Sequence, residues 1–168
     1  MIIKIANLSE GVHKLSFDER IDEIGVSDPF YGNCKVDVKL AKSHSQIVLD
    51  ADINLHANYQ CDRCRQDYSA KVKNSYQMVY LFENEPGNDD SFNLVYLPVD
   101  ADKIDIANDV RDYAVLAIPM KKLCKEDCKG LCQQCGKNLN EGDCSCQKNV
   151  VDSRWQPLME LKNKLKTN

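Results

Sequence analysis

Eight of the nine cysteines fall in four close pairs, Cys61/Cys64, Cys124/Cys128, Cys132/Cys135 and Cys144/Cys146, and this spacing constrains the chain more than any other feature. A two-residue gap lets both sulfurs of one turn reach a single ion at about 2.3 Å, while the turn's own N–H groups steady the sulfur charge. Four pairs supply the ligands of two tetrahedral zinc sites. The expected cofactor is therefore zinc, two ions, held by all eight paired thiols. Nine cysteines in 168 residues is about 5%, below the roughly 8–10% of a disulfide scaffold. The opening MIIKIANLSEGVHK has no basic segment leading into an apolar core and a small-residue cleavage site, so no signal peptide is expected. A cytoplasmic setting keeps thiols reduced and favours metal ligation over disulfides.

The pairing of the pairs stays open on spacing alone. Joining Cys132/Cys135 to Cys144/Cys146 closes the shortest loop at least entropic cost, which leaves Cys61/Cys64 to meet Cys124/Cys128 across the fold. A single mixed site with spare thiols is the other arrangement. The one-residue gap of Cys144-Ser-Cys146 is tight, so either thiol there is a possible spectator. Gly136, directly after Cys135, suits the positive φ that such a turn often needs after its second ligand. Removing the metal is expected to melt residues 119–150, since a structural zinc site contributes about 10–16 kcal/mol.

The first 118 residues read as a strand-rich core. Ile3 and Ile5, then Leu15 and Phe17 after the Ser-Glu-Gly turn at 9–11, alternate with polar neighbours. Val36, Val38 and Leu40 do the same, and Leu49, Ala51, Ile53, Leu55 and Ala57 extend a period-two run over about 46–60. Residues 61–65 break it, and Tyr68 to Phe82 reads as its return partner, so the Cys61/Cys64 turn would close a hairpin. ENEPGNDDS (83–91) is an acidic loop, and Phe92 to Leu97 one further strand. Helical spacing of Ile106, Val110, Tyr113, Ala114 and Ala117 predicts a helix over about 104–118, with Asp105 and Asp109 near its start and Pro119 ending it. Residues 119–168 form a cysteine-rich module and, from about Asp152, a terminal helix carrying Trp155, Leu158, Leu161 and Leu165. The predicted class is α+β: a mainly antiparallel sheet or partly closed barrel, one packed helix, a zinc module and a terminal helix, packed as one unit.

Charge is unevenly placed. Residues 1–118 hold 12 Lys+Arg against 20 Asp+Glu, and residues 119–168 hold 10 against 6, giving −8 and +4. The C-terminal third is thus the better surface for an acidic partner such as RNA, although thiolates around zinc remove part of that excess. Lys121, Lys122, Lys125, Lys129 and Lys137 are the candidate phosphate contacts, with Arg63, Arg65, Lys71 and Lys73 as a second patch. Taken singly, each of these also reads as ordinary solvated surface.

Several features carry no chemistry of their own. Cys34 sits on a predicted strand and reads as a small buried hydrophobe. His13, His44 and His56 are scattered. The Trp155 stripe reads as core packing rather than a base-stacking platform. The Cys61/Cys64 pair precedes a β pattern rather than a helix N-terminus, which weakens a redox role. No paired carboxylates and no glycine-rich phosphate loop stand out, so no enzymatic activity, small-molecule substrate or membrane span is expected.

The stretch CKEDCKGLCQQCGKNLNEGDCSC (124–146) followed by DSRWQPLMELK (152–162) resembles the YceD-type family of large ribosomal RNA subunit accumulation proteins. LSEGVHKLSF (8–17), CDRC (61–64) and IPMKKLC (118–124) fit the same order. The resemblance implies a bacterial, cytoplasmic, non-enzymatic factor that supports synthesis, processing or stability of 23S ribosomal RNA during ribosome biogenesis. Its partner would be that RNA or a pre-ribosomal particle, met directly or through a protein. Some relatives lack much of the C-terminal cluster, while Cys61 and Cys64 match the more widely recurring position. Two other readings stand beside it: an adaptor for a ribosomal protein or RNA-processing enzyme, favoured by the acidic pI of about 5.4, and a thiol-based redox or zinc sensor.

Overall fold

A computed structural model of the chain describes residues 1–82, 91–146 and 153–165. The acidic loop expected at 83–91 lies outside them except for Ser91, as do Asp152 and the last three residues. Five strands form one sheet in the order β2-β3-β4-β5-β6: β2 Gly11–Arg20, β3 Phe30–Lys42, β4 Gln46–Gln60, β5 Asp67–Phe82 and β6 Leu94–Leu97. Strands β1 (Ile2–Lys4) and β7 (Lys103–Asp105) make a second, two-stranded sheet. Helix α1 spans Ala107–Leu116; a short 3-10 turn, Ser153–Trp155, leads into α2, Gln156–Leu165.

Alternation sets the two faces of the large sheet. Along β4, Ile47, Leu49, Ala51, Ile53, Leu55, Ala57 and Tyr59 are buried, while Asp52, His56, Asn58 and Gln60 between them are exposed. A strand's period of two puts the first set on one core-facing side. Burying each large aliphatic side chain there contributes about 1.5–3 kcal/mol. β5 continues the core with Val72, Tyr76, Met78 and Tyr80, and α1 closes it with Val110 and Ala114. Tyr113 of α1 stacks on Tyr76 with ring centroids 4.5 Å apart. Cys34 is fully buried in this core, where burial pushes its thiol up to about 11.

The structure corrects three expectations and adds one direction. The sheet is open, because β2 and β6 lie at opposite edges and are not paired with each other, so it is not the partly closed barrel. Its last strand is parallel to β5, pairing Val79–Phe82 with Leu94–Leu97. The first helix starts at Ala107 rather than near 104, because Ile104 is taken into β7 opposite Ile3 and both are buried. Asp105 still serves the helix start: its Oδ1 accepts the Ala107 N–H at 3.0 Å. Lastly, Trp155, Leu158 and Leu161 are 57%, 54% and 56% exposed, so this stripe is not core packing. No helix among the described residues is long and apolar enough to cross a membrane.

Candidate metal centres

The β4–β5 hairpin ends in a six-residue tip, 61–66, closed by the Cys61 N–H donating to Gln66 O at 2.9 Å and the Arg65 N–H to Cys61 O at 2.8 Å. The turn at 132–137 repeats both bonds: Cys132 N–H to Lys137 O at 2.8 Å and Gly136 N–H to Cys132 O at 2.9 Å. Two segments of different sequence thus build the same knuckle. Each needs a positive φ after its second cysteine, supplied by Gly136 at +73° and, against its preference, by Arg65 at +58°.

Four sulfurs converge at each knuckle. Cys61, Cys64, Cys124 and Cys128 form one group and Cys132, Cys135, Cys144 and Cys146 the other, with the sulfurs of each group within 4.8 Å of one another. This is the local pairing, and Cys144 and Cys146 both take part in it. A tetrahedron of metal–sulfur bonds of about 2.3 Å has edges of about 3.8 Å. Cys61 Sγ lies 3.8 Å from Cys128 Sγ, and Cys64 Sγ 3.7 Å from Cys124 Sγ. The donor set and its spacing therefore fit a soft, tetrahedral divalent ion, closed to other ligands.

The surroundings favour thiolates but cannot neutralise four of them. Burial holds back ionisation of Cys61, yet the N–H groups of Cys124, Cys64 and Arg63 outweigh it and bring the thiol down to about 6. At Cys132 the N–H groups of Cys135 and Gln134, with the Cys144 thiol, also lower it to about 6. Cys124 is pushed up to about 12 by burial and by its bonds to the neighbouring sulfurs; Cys146 reaches about 12 through its bond to Cys135 and then burial. Without a cation, each cluster must keep some of its protons. A bound divalent ion would supply the missing charge and lock the loops, and that is the chemistry it would bring.

The first cluster spans the fold and is braced by contacts that sequence spacing does not reveal. Asp62 N–H donates to Lys122 O at 2.8 Å and Lys122 N–H to Asp62 Oδ2 at 2.7 Å. Arg63 Nη1 donates to Cys128 O at 2.8 Å, and its own carbonyl accepts the Leu131 N–H at 3.1 Å. A Cβ on Gly130 would meet Arg63 O at 3.1 Å, so glycine permits this close approach. Asn140, from the loop between Cys135 and Cys144, donates through Nδ2 to Cys128 Sγ at 3.3 Å and accepts the Lys129 N–H at 2.9 Å. One side chain of the second module thus touches a sulfur of the first. No motif marked Asn140; only its place between ligands of the second site hinted at it.

The nine basic candidates separate by what they touch. Arg63 holds the Cys128 loop, and Lys137 Nζ donates to Asp143 O at 2.9 Å within the second module. Lys122 lies over the Tyr59 ring, Nζ 5.5 Å from its centroid. Lys71, Lys73 and Lys121, assigned from sequence to two patches, line one groove. Arg65, Lys125 and Lys129 are exposed beside the knuckles.

A chloroplastic protein of Arabidopsis thaliana, large ribosomal RNA subunit accumulation protein YCED homolog 1, is 25% identical over 157 residues, covering 78% of this chain and 49% of the relative. The maize protein of the same name is 39% identical over 54 residues, 32% of this chain and 18% of the relative. An uncharacterized protein of Mycobacterium tuberculosis is 24% identical over 102 residues, 61% of this chain and 49% of its own. The chain thus spans about half the length, or less, of these curated relatives. No solved structure matches it. The family model described as large ribosomal RNA subunit accumulation protein YceD matches residues 49–162, which carry all eight clustered cysteines and both knuckles. The chain belongs to the YceD family of large ribosomal RNA subunit accumulation proteins.

Proposed function

We propose that this protein is a non-enzymatic, zinc-stabilised factor that supports accumulation of the large-subunit (23S) ribosomal RNA in a bacterial cytoplasm. The observation that carries the reading is the pair of four-sulfur clusters inside the family match. Four thiolates close the shell of a zinc ion, as in structural sites, whereas a catalytic zinc keeps a position for water or substrate. The first cluster clamps residues 122–128 onto the β4–β5 hairpin and so fixes a binding surface. The partner is the RNA or a pre-ribosomal particle.

An adaptor role, in which the chain holds a ribosomal protein or processing enzyme, is favoured by one observation, the exposed Trp155 of the 3-10 turn with Leu158 and Leu161 of the terminal helix. The test is deletion of the gene in its native host, with the ratio of 23S to 16S RNA measured by electrophoresis and with complementation by the wild-type chain and by a Cys61→Ser/Cys64→Ser variant. The reading expects the ratio to fall on deletion, to recover with the wild type and not with the variant. An unchanged ratio on deletion overturns it.

A further inference from the structure

The outer edge of β5 and the segment after α1 enclose a groove of about 340 Å³ whose lining includes Tyr59, Tyr68, Lys71, Lys73, Lys121 and Leu123. Three lysines and no carboxylate line it. All three are exposed, and none forms an ion pair among the described residues. Lys122, on the Tyr59 ring, adds a fourth cation beside them. β6 covers β5 only over Val79–Phe82, so no strand of the described residues covers this edge along Tyr68–Lys73. No carboxylate in the lining offsets these like charges, the neighbouring first cluster and Asp62 take back only part of them, and an anionic occupant relieves the repulsion that is left.

The wall opposite β5 is held by the first cysteine cluster. Lys121 and Lys122 immediately precede Leu123 and Cys124, and Lys122 exchanges two backbone-directed bonds with Asp62 of the hairpin tip. Cys124 Sγ then lies 3.7 Å from Cys64 Sγ. Metal at this cluster therefore fixes the distance between Lys121 on one wall and Lys71 and Lys73 on the other.

We propose that this groove binds single-stranded RNA through its phosphates, with Lys71, Lys73, Lys121 and Lys122 as the contacts and Tyr68 as a ring on which a base stacks. A cationic track beside Tyr68, half-buried but lining the groove, is the composition single strands require, and a duplex offers that ring no free base. The choice of RNA among polyanions rests on the family reading above; the groove and its charge do not.

The experiment is fluorescence anisotropy of a labelled 12-nucleotide uridine RNA with the zinc-loaded full chain at several salt concentrations. Four phosphate contacts predict a slope of log K against log salt of about −2.8, at about 0.7 per contact for a single strand. Lys71→Ala/Lys73→Ala/Lys121→Ala should flatten that slope by about 2 and weaken binding about tenfold or more at low salt. The corresponding triple Lys→Arg variant should bind as the wild type does. Lys14→Ala/Lys39→Ala, a pair in register at β2–β3 away from the groove, should change neither quantity. Zinc content and circular dichroism establish that each variant is folded. Wild type that binds no RNA overturns the proposal, as does binding that survives the triple alanine variant or duplex RNA that competes equally well. An acidic protein partner that needs the same lysines while RNA is ignored also overturns it. The two readings fail separately: absent RNA binding with intact rescue of 23S RNA in the host overturns the groove alone, whereas an unchanged 23S RNA level on deletion overturns the family reading and leaves the anisotropy result standing.

Discussion

Replacing Asn140 by alanine should loosen the first metal site, although Asn140 belongs to the loop of the second. Its Nδ2 donates to Cys128 Sγ at 3.3 Å, and that sulfur is almost wholly buried, so water does not replace the lost donor. Burial opposes ionisation of Cys128, and the Asn140 amide and the Gly130 N–H outweigh it to lower the thiol. A hydrogen bond to a charged acceptor is worth about 1.5–3 kcal/mol. At 1.4 kcal/mol per tenfold, that is about 10–100-fold in affinity, the range usual for groups that orient a metal's ligands. The Lys129 N–H also loses its acceptor, but Lys129 is exposed and water takes that place at little cost. The assay is NMR of the cadmium-113-substituted protein, with one resonance for each cluster, assigned with Cys135→Ser, under titration by a competing chelator. Asn140→Ala should shift the first cluster's resonance and release its metal at about 10–100-fold lower chelator strength. Asn138→Ala, which removes an acceptor of the Asn140 amide without touching the sulfur, should have a smaller effect. A first-site affinity within twofold of wild type, in a folded protein, refutes the reasoning.

Other consequences are local and independent of one another. Arg65 holds φ +58° where the second knuckle uses Gly136 at +73°; Arg65→Gly should raise stability by about 0.5–1 kcal/mol and Gly136→Ala should lower it by about 1 kcal/mol, both read by thermal unfolding of the metal-loaded protein. With metal stripped, iodoacetamide at pH 7 should modify Cys132 early, since the knuckle that holds it opens, and modify Cys34, buried in the β core with its thiol near 11, last. Peptide mass spectrometry in which Cys34 keeps pace with Cys132 contradicts this. Ile53→Ala, in the fully packed middle of β4, should cost about 2–5 kcal/mol in denaturant unfolding while leaving the metal content per folded chain unchanged.

How far the sequence reached depends on whether the deciding contact is local. The run at 46–60 and its return at 67–82 were legible because each buried side chain repeats every second residue, and the break between them is a metal-type turn. Loop length favours the sulfur grouping without deciding it, since the shortest closure is the least costly in entropy; the fold settles it. The direction of Leu94–Leu97 was not legible, because four apolar residues pack equally well in a parallel or an antiparallel pair. Ile104 and Asp105 fall inside the helix expected over about 104–118, because so short a stretch cannot distinguish a period of 2 from one of 3.6; burial of Ile104 against β1 decides it. The stripe at Trp155, Leu158 and Leu161 has helical spacing, as expected, but spacing does not say what a helix packs on. Asn140 against Cys128, and Lys121 in one groove lining with Lys71 and Lys73, join residues that only the folded chain brings together.

Metal content per chain tests the central claim most directly. Protein purified under reducing conditions without chelator should hold two zinc ions per chain by elemental analysis, with one thiol, Cys34, outside the clusters. Removing the metal should abolish hydrogen-exchange protection at the second knuckle, where Gly136 N–H donates to Cys132 O, and leave the core of β4 protected. A folded protein with no zinc, eight free clustered thiols and unchanged protection at that knuckle would contradict the account.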